Sequence, residues 1–215
     1  MTDQERGDTG VAGLRELAEV ARLTADTLEG EIGELVQMVV QVIRGGGRLL
    51  FCGNGGSAAD AQHLAAEYVV RFHSERRGLP AMALTTDTSI LTAAANDYGF
   101  QEIFARQVQA LGRPGDLLIL HSTSGESGNL LRAAETARAC GLKTAALLAR
   151  NGGRLKGMVD LPLVIPTRVT ARAQEVHLAV GHLVCEAVDR AIGEDTTHAP
   201  AAGGPGADRG IDAGD

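Results

Sequence analysis

Residues 49–67 read LLFCGNGGSAADAQHLAAE, and the fold follows from this stretch. Leu49 to Cys52 is an apolar run of strand length. Gly53-Asn54-Gly55-Gly56-Ser57 is a turn, and the alanine-rich segment after it is built of strong helix formers. The order is therefore strand, glycine-rich turn, helix. Three glycines in four residues allow positive φ and close approach of a ligand to the backbone. The helix start at Ser57 offers unpaired N–H groups and the positive end of the helix dipole, a setting suited to a phosphate. His63 and Glu67 stand four apart, on one helical face, where they can share a proton or a metal. Either feature alone is commonplace, a plain turn or a solvated helix face; their combination on one helix points to a site.

Composition limits what the site can serve. The chain has 215 residues, 44% of them hydrophobic, which suits one domain with terminal extensions. The net charge of −7 and the lack of a basic stripe argue against a nucleic-acid partner. Cys52, Cys140 and Cys185 match no zinc spacing and read as free thiols in a reducing compartment. No apolar run nears the ~20 residues of a membrane span. The polar opening MTDQERGDTG lacks the character of a signal peptide, so a cytoplasmic protein without a membrane partner is expected.

Outward from residues 49–67, the pattern alternates. Residues 1–10 read as disordered. Residues 11–44 carry two helical apolar stripes, Leu14, Leu17, Val20 and Ala21, then Ile32, Leu35, Val36, Val39 and Ile43. Gly30 and Gly33 suggest a break between two helices, and the stripes suit contact with another subunit as well as with a sheet. Further strands are expected at Pro80–Thr85, Asp116–His121, Lys143–Ala149 and Leu161–Ile165, with helical pieces over 88–97 and 100–112, a helix ending near Cys140 and a last helix over 171–192. Such alternation predicts an α/β fold, a parallel sheet with helices on both faces. From Glu194 onward the Gly, Ala, Pro and Asp content reads as a disordered tail, which leaves 11–193 as one domain.

A second loop matches the first. Ser122-Thr123-Ser124-Gly125-Glu126-Ser127 lies between an apolar strand and a helix and carries four hydroxyls. Capping the helix needs one hydroxyl, whereas enclosing a phosphate uses several. Both loops occupy the carboxyl ends of strands, where open α/β sheets bind ligands.

Taken in order, CGNGGS, HLAAE, ANDYGF, STSGES and AQEVHLAVGH resemble the sugar isomerase (SIS) domain, and within it the phosphoheptose isomerases, over roughly residues 11–192. The resemblance implies a single five-stranded sheet of flavodoxin-like order. It implies that Asn54, Gly55, Gly56, Ser57, Ser122, Thr123, Ser124 and Ser127 hold a phosphorylated seven-carbon sugar, and that Asn96, Asp97, Glu67 and Gln174 also contact it. It implies one zinc per subunit on His63, Glu67, Gln174 and His182, no organic cofactor, Glu67 and His182 as the acid–base pair, and a homotetramer. Three positions depart from the family pattern: acidic Glu126 where relatives often carry an amide, Ala58-Ala59 in place of larger polar residues, and Arg172 without an acidic residue just before Gln174.

Moving a proton between C1 and C2 of a sugar needs one base at carbon and one group that shuttles protons between oxygens. Glu67 suits the first task and His182 the second. One geometric difficulty stands out. Gln174 and His182 are eight residues apart, about 12 Å along a straight helix, so both reach one metal only by leaning together or by serving different subunits. His177 lies between them as a core or supporting residue. The main competing reading is a non-catalytic SIS module similar to replication-initiator-associating protein, which lacks the acid at the Glu67 position and the histidine at the His182 position. An isomerase of another sugar phosphate is the other.

Overall fold

The computed structural model describes residues 11–197. Both terminal segments assigned as disordered, 1–10 and most of 194–215, lie outside the described residues. The chain order is α1 (Val11–Arg44), β1 (Leu49–Gly53), α2 (Gly56–Val69), β2 (Ala81–Ala83), α3 (Thr88–Tyr98), α4 (Ile103–Leu111), β3 (Leu117–Ser122), α5 (Gly128–Ala139), β4 (Lys143–Ala149), β5 (Leu161–Ile165) and α6 (Thr170–Thr197). Helix α6 therefore continues past the expected domain end at residue 193. Residues 194–197 contain no proline to stop the helix, and the Pro- and Gly-rich composition starts only beyond them.

The five strands are all parallel, in the order β2-β1-β3-β4-β5. Alternate residues of each strand feed opposite faces. Leu49, Phe51, Leu117 and Ile119 pack under α1, α2 and α6, while Leu50, Cys52, Leu118 and Leu120 pack under α4 and α5. The strands are buried on both faces, which explains their near-continuous apolar runs. Gly53 pairs in register with His121, so the GNGGS and STSGES loops leave adjacent strands side by side. The chain order reverses between β1 and β3, the position where such sheets open a ligand crevice.

The N-terminal region is the expected pair of helices, run together over 34 residues as α1, with the break at Leu28 (φ −123°, ψ 17°) rather than at Gly30 and Gly33. The kink precedes Gly30 and Gly33 because buried Leu28 is where the helix bends onto the core; its second half buries Leu35, Val39, Val40 and Ile43. Arg172, one of the departures from the family pattern, bridges the starts of two helices, donating to the Gly13 carbonyl and pairing with Glu175. Cys52 and Cys185 are buried and Cys140 is half-buried, all three as free thiols. No helix among the described residues is long and apolar enough to cross a membrane.

Candidate active site

The two loops enclose a cavity of about 320 Å³ lined by Asn54, Gly55, Gly56, Ser57, His121, Ser122, Thr123, Ser124, Ser127, Leu130, Thr170 and Gln174. Every loop residue expected to hold phosphate is in this lining. Gly55 supplies the turn with φ 57°, and α2 and α5 both begin here without a side-chain cap. Ser127 is the N-cap residue of α5, yet its hydroxyl makes no capping bond. Ser122 and Ser124 instead shape their own loop, accepting from the amides of Gly125 (3.0 Å) and Glu126 (3.2 Å). Two helix starts and several hydroxyls around one cavity make an anion cradle without a lysine.

Asn129, which the sequence reading did not single out, ties the loops together. Its side-chain amide and that of Asn54 exchange two hydrogen bonds of 2.9 and 2.8 Å. The pair uses one donor and one acceptor of each group, so Asn54 keeps a second N–H for a ligand. A polar residue in the first turn of α5 was the available signal.

A second cluster lies further along α2. Nε2 of His63 is 2.8 Å from Nε2 of His182 and 3.2 Å from Oε1 of Glu67, and the three donor atoms lie within 4.8 Å of one another. His63 and Glu67 meet by their four-residue spacing; His182 arrives from α6. Burial, followed by the nearby His63, depresses the His182 imidazole below its ordinary range, which keeps it neutral and able to ligate. The set fits a divalent ion. Two imidazole nitrogens and a carboxylate oxygen are zinc donors, and their separations of 2.8 and 3.2 Å from His63 Nε2 are close to the roughly 3.3 Å between ligands of one such ion.

Gln174 does not join this cluster within one chain. It sits in the cradle, its Nε2 3.4 Å from the Ser57 hydroxyl. The eight-residue separation from His182 on a continuous helix is the physical reason. Asn96 and Asp97 are exposed on α3, paired with each other at 2.8 Å, and line neither the cradle nor the cluster. His177 is a core residue, fully buried and bonded to the Leu148 carbonyl at 3.0 Å.

The SIS domain family matches residues 14–149. A curated phosphoheptose isomerase of Roseiflexus sp. is 58% identical over 159 residues, covering 74% of this chain and 81% of that protein. The chain belongs to the SIS-domain phosphoheptose isomerases. Solved phosphoheptose isomerases agree. That of Neisseria gonorrhoeae is 40% identical with a TM-score of 0.80, and that of Francisella tularensis 36% with 0.82; each comparison covers 88% of this chain and 100% of the other.

Glu126 is the acidic residue of the second loop, and its charge would oppose an anion in the cavity. Its carboxylate is turned away from the cradle, bonded to the amide and guanidinium of Arg154 at 2.9 Å each, and these bonds hold it below the usual carboxylate range. The cavity keeps the positive ends of its two helix starts.

His121 is fully buried at the cradle floor, its ring 6.1 Å from that of His177. Neither of its nitrogens, nor Nδ1 of His177, makes a hydrogen bond among the described residues. Burial depresses both rings, His121 to about 3, helped by His177, and His177 to about 4, partly countered by the Leu148 carbonyl. An unfolded histidine titrates near 6.5, so below that pH the unfolded chain takes up protons that the native rings refuse. Their contribution is whole above about pH 6.5 and is lost as pH falls towards 4. Between about pH 7 and pH 5 urea stability should drop by roughly 1–2 kcal/mol per ring, and His121→Leu should remove its share of that drop. Equal pH dependence in His121→Leu would show that the ring titrates normally.

Proposed function

We propose that this chain interconverts sedoheptulose 7-phosphate and D-glycero-D-manno-heptose 7-phosphate through an enediol, with Glu67 and His182 as the acid–base pair and zinc as the metal. One observation supports this above the rest: α2 runs from the anion cradle at Ser57 to the carboxylate–imidazole cluster at His63 and Glu67. Six helical residues separate Ser57 from His63, a rise of roughly 9 Å. An extended chain of eight bonds from C1 to the phosphorus covers about the same length, at ~1.2 Å per bond. Phosphate in the cradle thus leaves C1 and C2 at the cluster. The isomerase names of the relatives and the presence of both Glu67 and His182 count against a non-catalytic binding module.

His63, Glu67 and His182 would hold a divalent ion, which would supply Lewis-acid polarisation of the substrate carbonyl. Glu67 has a second carboxylate oxygen for the proton on carbon, which it removes from one face and returns at the neighbouring atom. His182, neutral through burial, has one free lone pair, so it takes and gives the hydroxyl proton when that nitrogen is not engaged by the ion. Gln174 orients the cradle end through Ser57, and its service as a fourth ligand would be to a neighbour's site.

The test is NMR of the purified protein with sedoheptulose 7-phosphate. Turnover should vanish with a chelator and return with zinc, and unphosphorylated sedoheptulose should be a poor substrate. Equal turnover of the two sugars would assign the cradle another role, and full activity in chelator would remove the metal.

We also propose a cytoplasmic homotetramer in which neighbours complete each site. The outward position of Asn96 and Asp97 supports this, as does a groove between α1 and α6 lined by Ala21, Ala25, Ile32, Val176 and Leu183, the last 53% exposed. Removing α1 is too blunt a test, because residues 28–44 are part of the core. Leu183→Glu places a charge in the groove and should yield smaller, inactive species by light scattering and assay. An active monomer would overturn the assembly.

A further inference from the structure

The connection between α2 and β2 has almost no regular structure, yet it is pinned at one buried point. The Arg76 and Asp189 side chains are each 2% exposed and form an ion pair, Nε to Oδ1, of 2.6 Å. Two further N–H groups of Arg76 turn back onto α2. Nη2 donates to the Glu67 carbonyl and Nη1 to the Tyr68 carbonyl, both at 2.9 Å. These carbonyls belong to the last turn of α2, which has no intrahelical donors for them. Arg76 thus caps the helix that bears Glu67, at Glu67 itself.

Asp189 works on the other side. Its Oδ2 accepts from the amides of His73 and Ser74, both at 3.1 Å. Burial alone would raise this carboxyl, but Arg76 and the two amides hold it below its ordinary range, so the pair is ionised. The two amides follow Phe72, whose ring stacks on His182 with centroids 5.3 Å apart and planes 26° apart. Asp189 itself is seven residues beyond His182 on α6, two turns along the same face. The ion pair therefore touches the backbone of Glu67 and also fixes the loop whose aromatic ring supports His182.

Stability alone is a weak reason for such a pair, since apolar residues of similar volume often serve as well. Geometry is a better one. Proton transfer needs its partners held to a fraction of an ångström, and a guanidinium can reach two carbonyls and a carboxylate at once where an ammonium cannot. We propose that Arg76 and Asp189 are positioning residues for the isomerisation, setting the Glu67 carboxylate against the His182 imidazole through the α2 terminus and Phe72. The proposal rests on Glu67 and His182 being the acid–base pair.

Arg76→Lys keeps a positive charge for Asp189 but loses the fork. In protein confirmed folded and fully assembled, and assayed well below its melting temperature, kcat should fall about 10-fold or more with KM within about threefold. Phe72→Leu leaves the ion pair intact and should lower kcat by a smaller factor; it decides the matter if Arg76→Lys does not fold. Wild-type kcat in the folded variants, or a change confined to KM, overturns the proposal. Glu67→Gln is measured beside them. If it is inactive while Arg76→Lys and Phe72→Leu are unaffected, only the positioning role fails; if it is active, the acid–base reading itself fails.

Discussion

Glu67→Gln is expected to lower kcat at least ~100-fold while the protein stays folded, the usual size of effect for removing a general base. Glutamine preserves the length and most of the polarity of the side chain, so the α2 packing around half-buried Glu67 should persist. The lost capacity is proton acceptance at carbon. His182→Gln should cost a similar factor. The double variant should be little worse than either single one, because residues that act as a unit are not additive. Steady-state assay with sedoheptulose 7-phosphate, alongside circular dichroism, measures this. Near-full activity in Glu67→Gln would take the residue out of the reaction, and full additivity would mean that the two groups act in separate steps.

Gly125→Ala is expected to lower stability by about 2–4 kcal/mol, a fall in Tm of roughly 5–15 °C for a chain of this size. Two causes add. Gly125 has φ 67°, a left-handed conformation that costs an L side chain free energy. A Cβ there would also overlap the Gly152 carbonyl, a backbone group that cannot swing aside. The STSGES loop rests backbone against backbone on residues 152–153, and Leu155 closes the contact by donating to the Gly125 carbonyl at 3.1 Å. Displacing the loop moves Ser124 and Ser127, so KM for the phosphorylated sugar should rise together with the loss of stability. Calorimetry and kinetics on the same sample check both; an unchanged Tm would show that the loop yields without cost.

Much of the fold and part of the site were legible in the sequence because they depend on local periodicity. Apolar runs of strand length alternating with helical stripes specify a parallel α/β sheet, and the five strands lie where those runs predicted. The two loops were recognisable because two glycine- and hydroxyl-rich turns recur in the same strand-to-helix setting, each at the carboxyl end of a strand. His63 and Glu67 were found from their spacing, which fixes a common face without any tertiary contact. The helix kink was misplaced because Gly30 and Gly33 permit a bend that only the burial of Leu28 localises.

Tertiary structure decided everything that joins distant segments. Gln174 and His182 share a helix, but the crossing of α6 over α2, where Leu64 packs on Gly181, sends the first to the cavity between the two loops and the second to His63 and Glu67. His121 and His177, Asn54 and Asn129, and Arg76 and Asp189 became partners only through packing. The members of these pairs are 56, 75 and 113 residues apart in sequence respectively. No period of two or of 3.6 residues carries information over such separations. Their meeting is set by strand order and helix crossing, which arise from the free energy of the whole core rather than from any one segment.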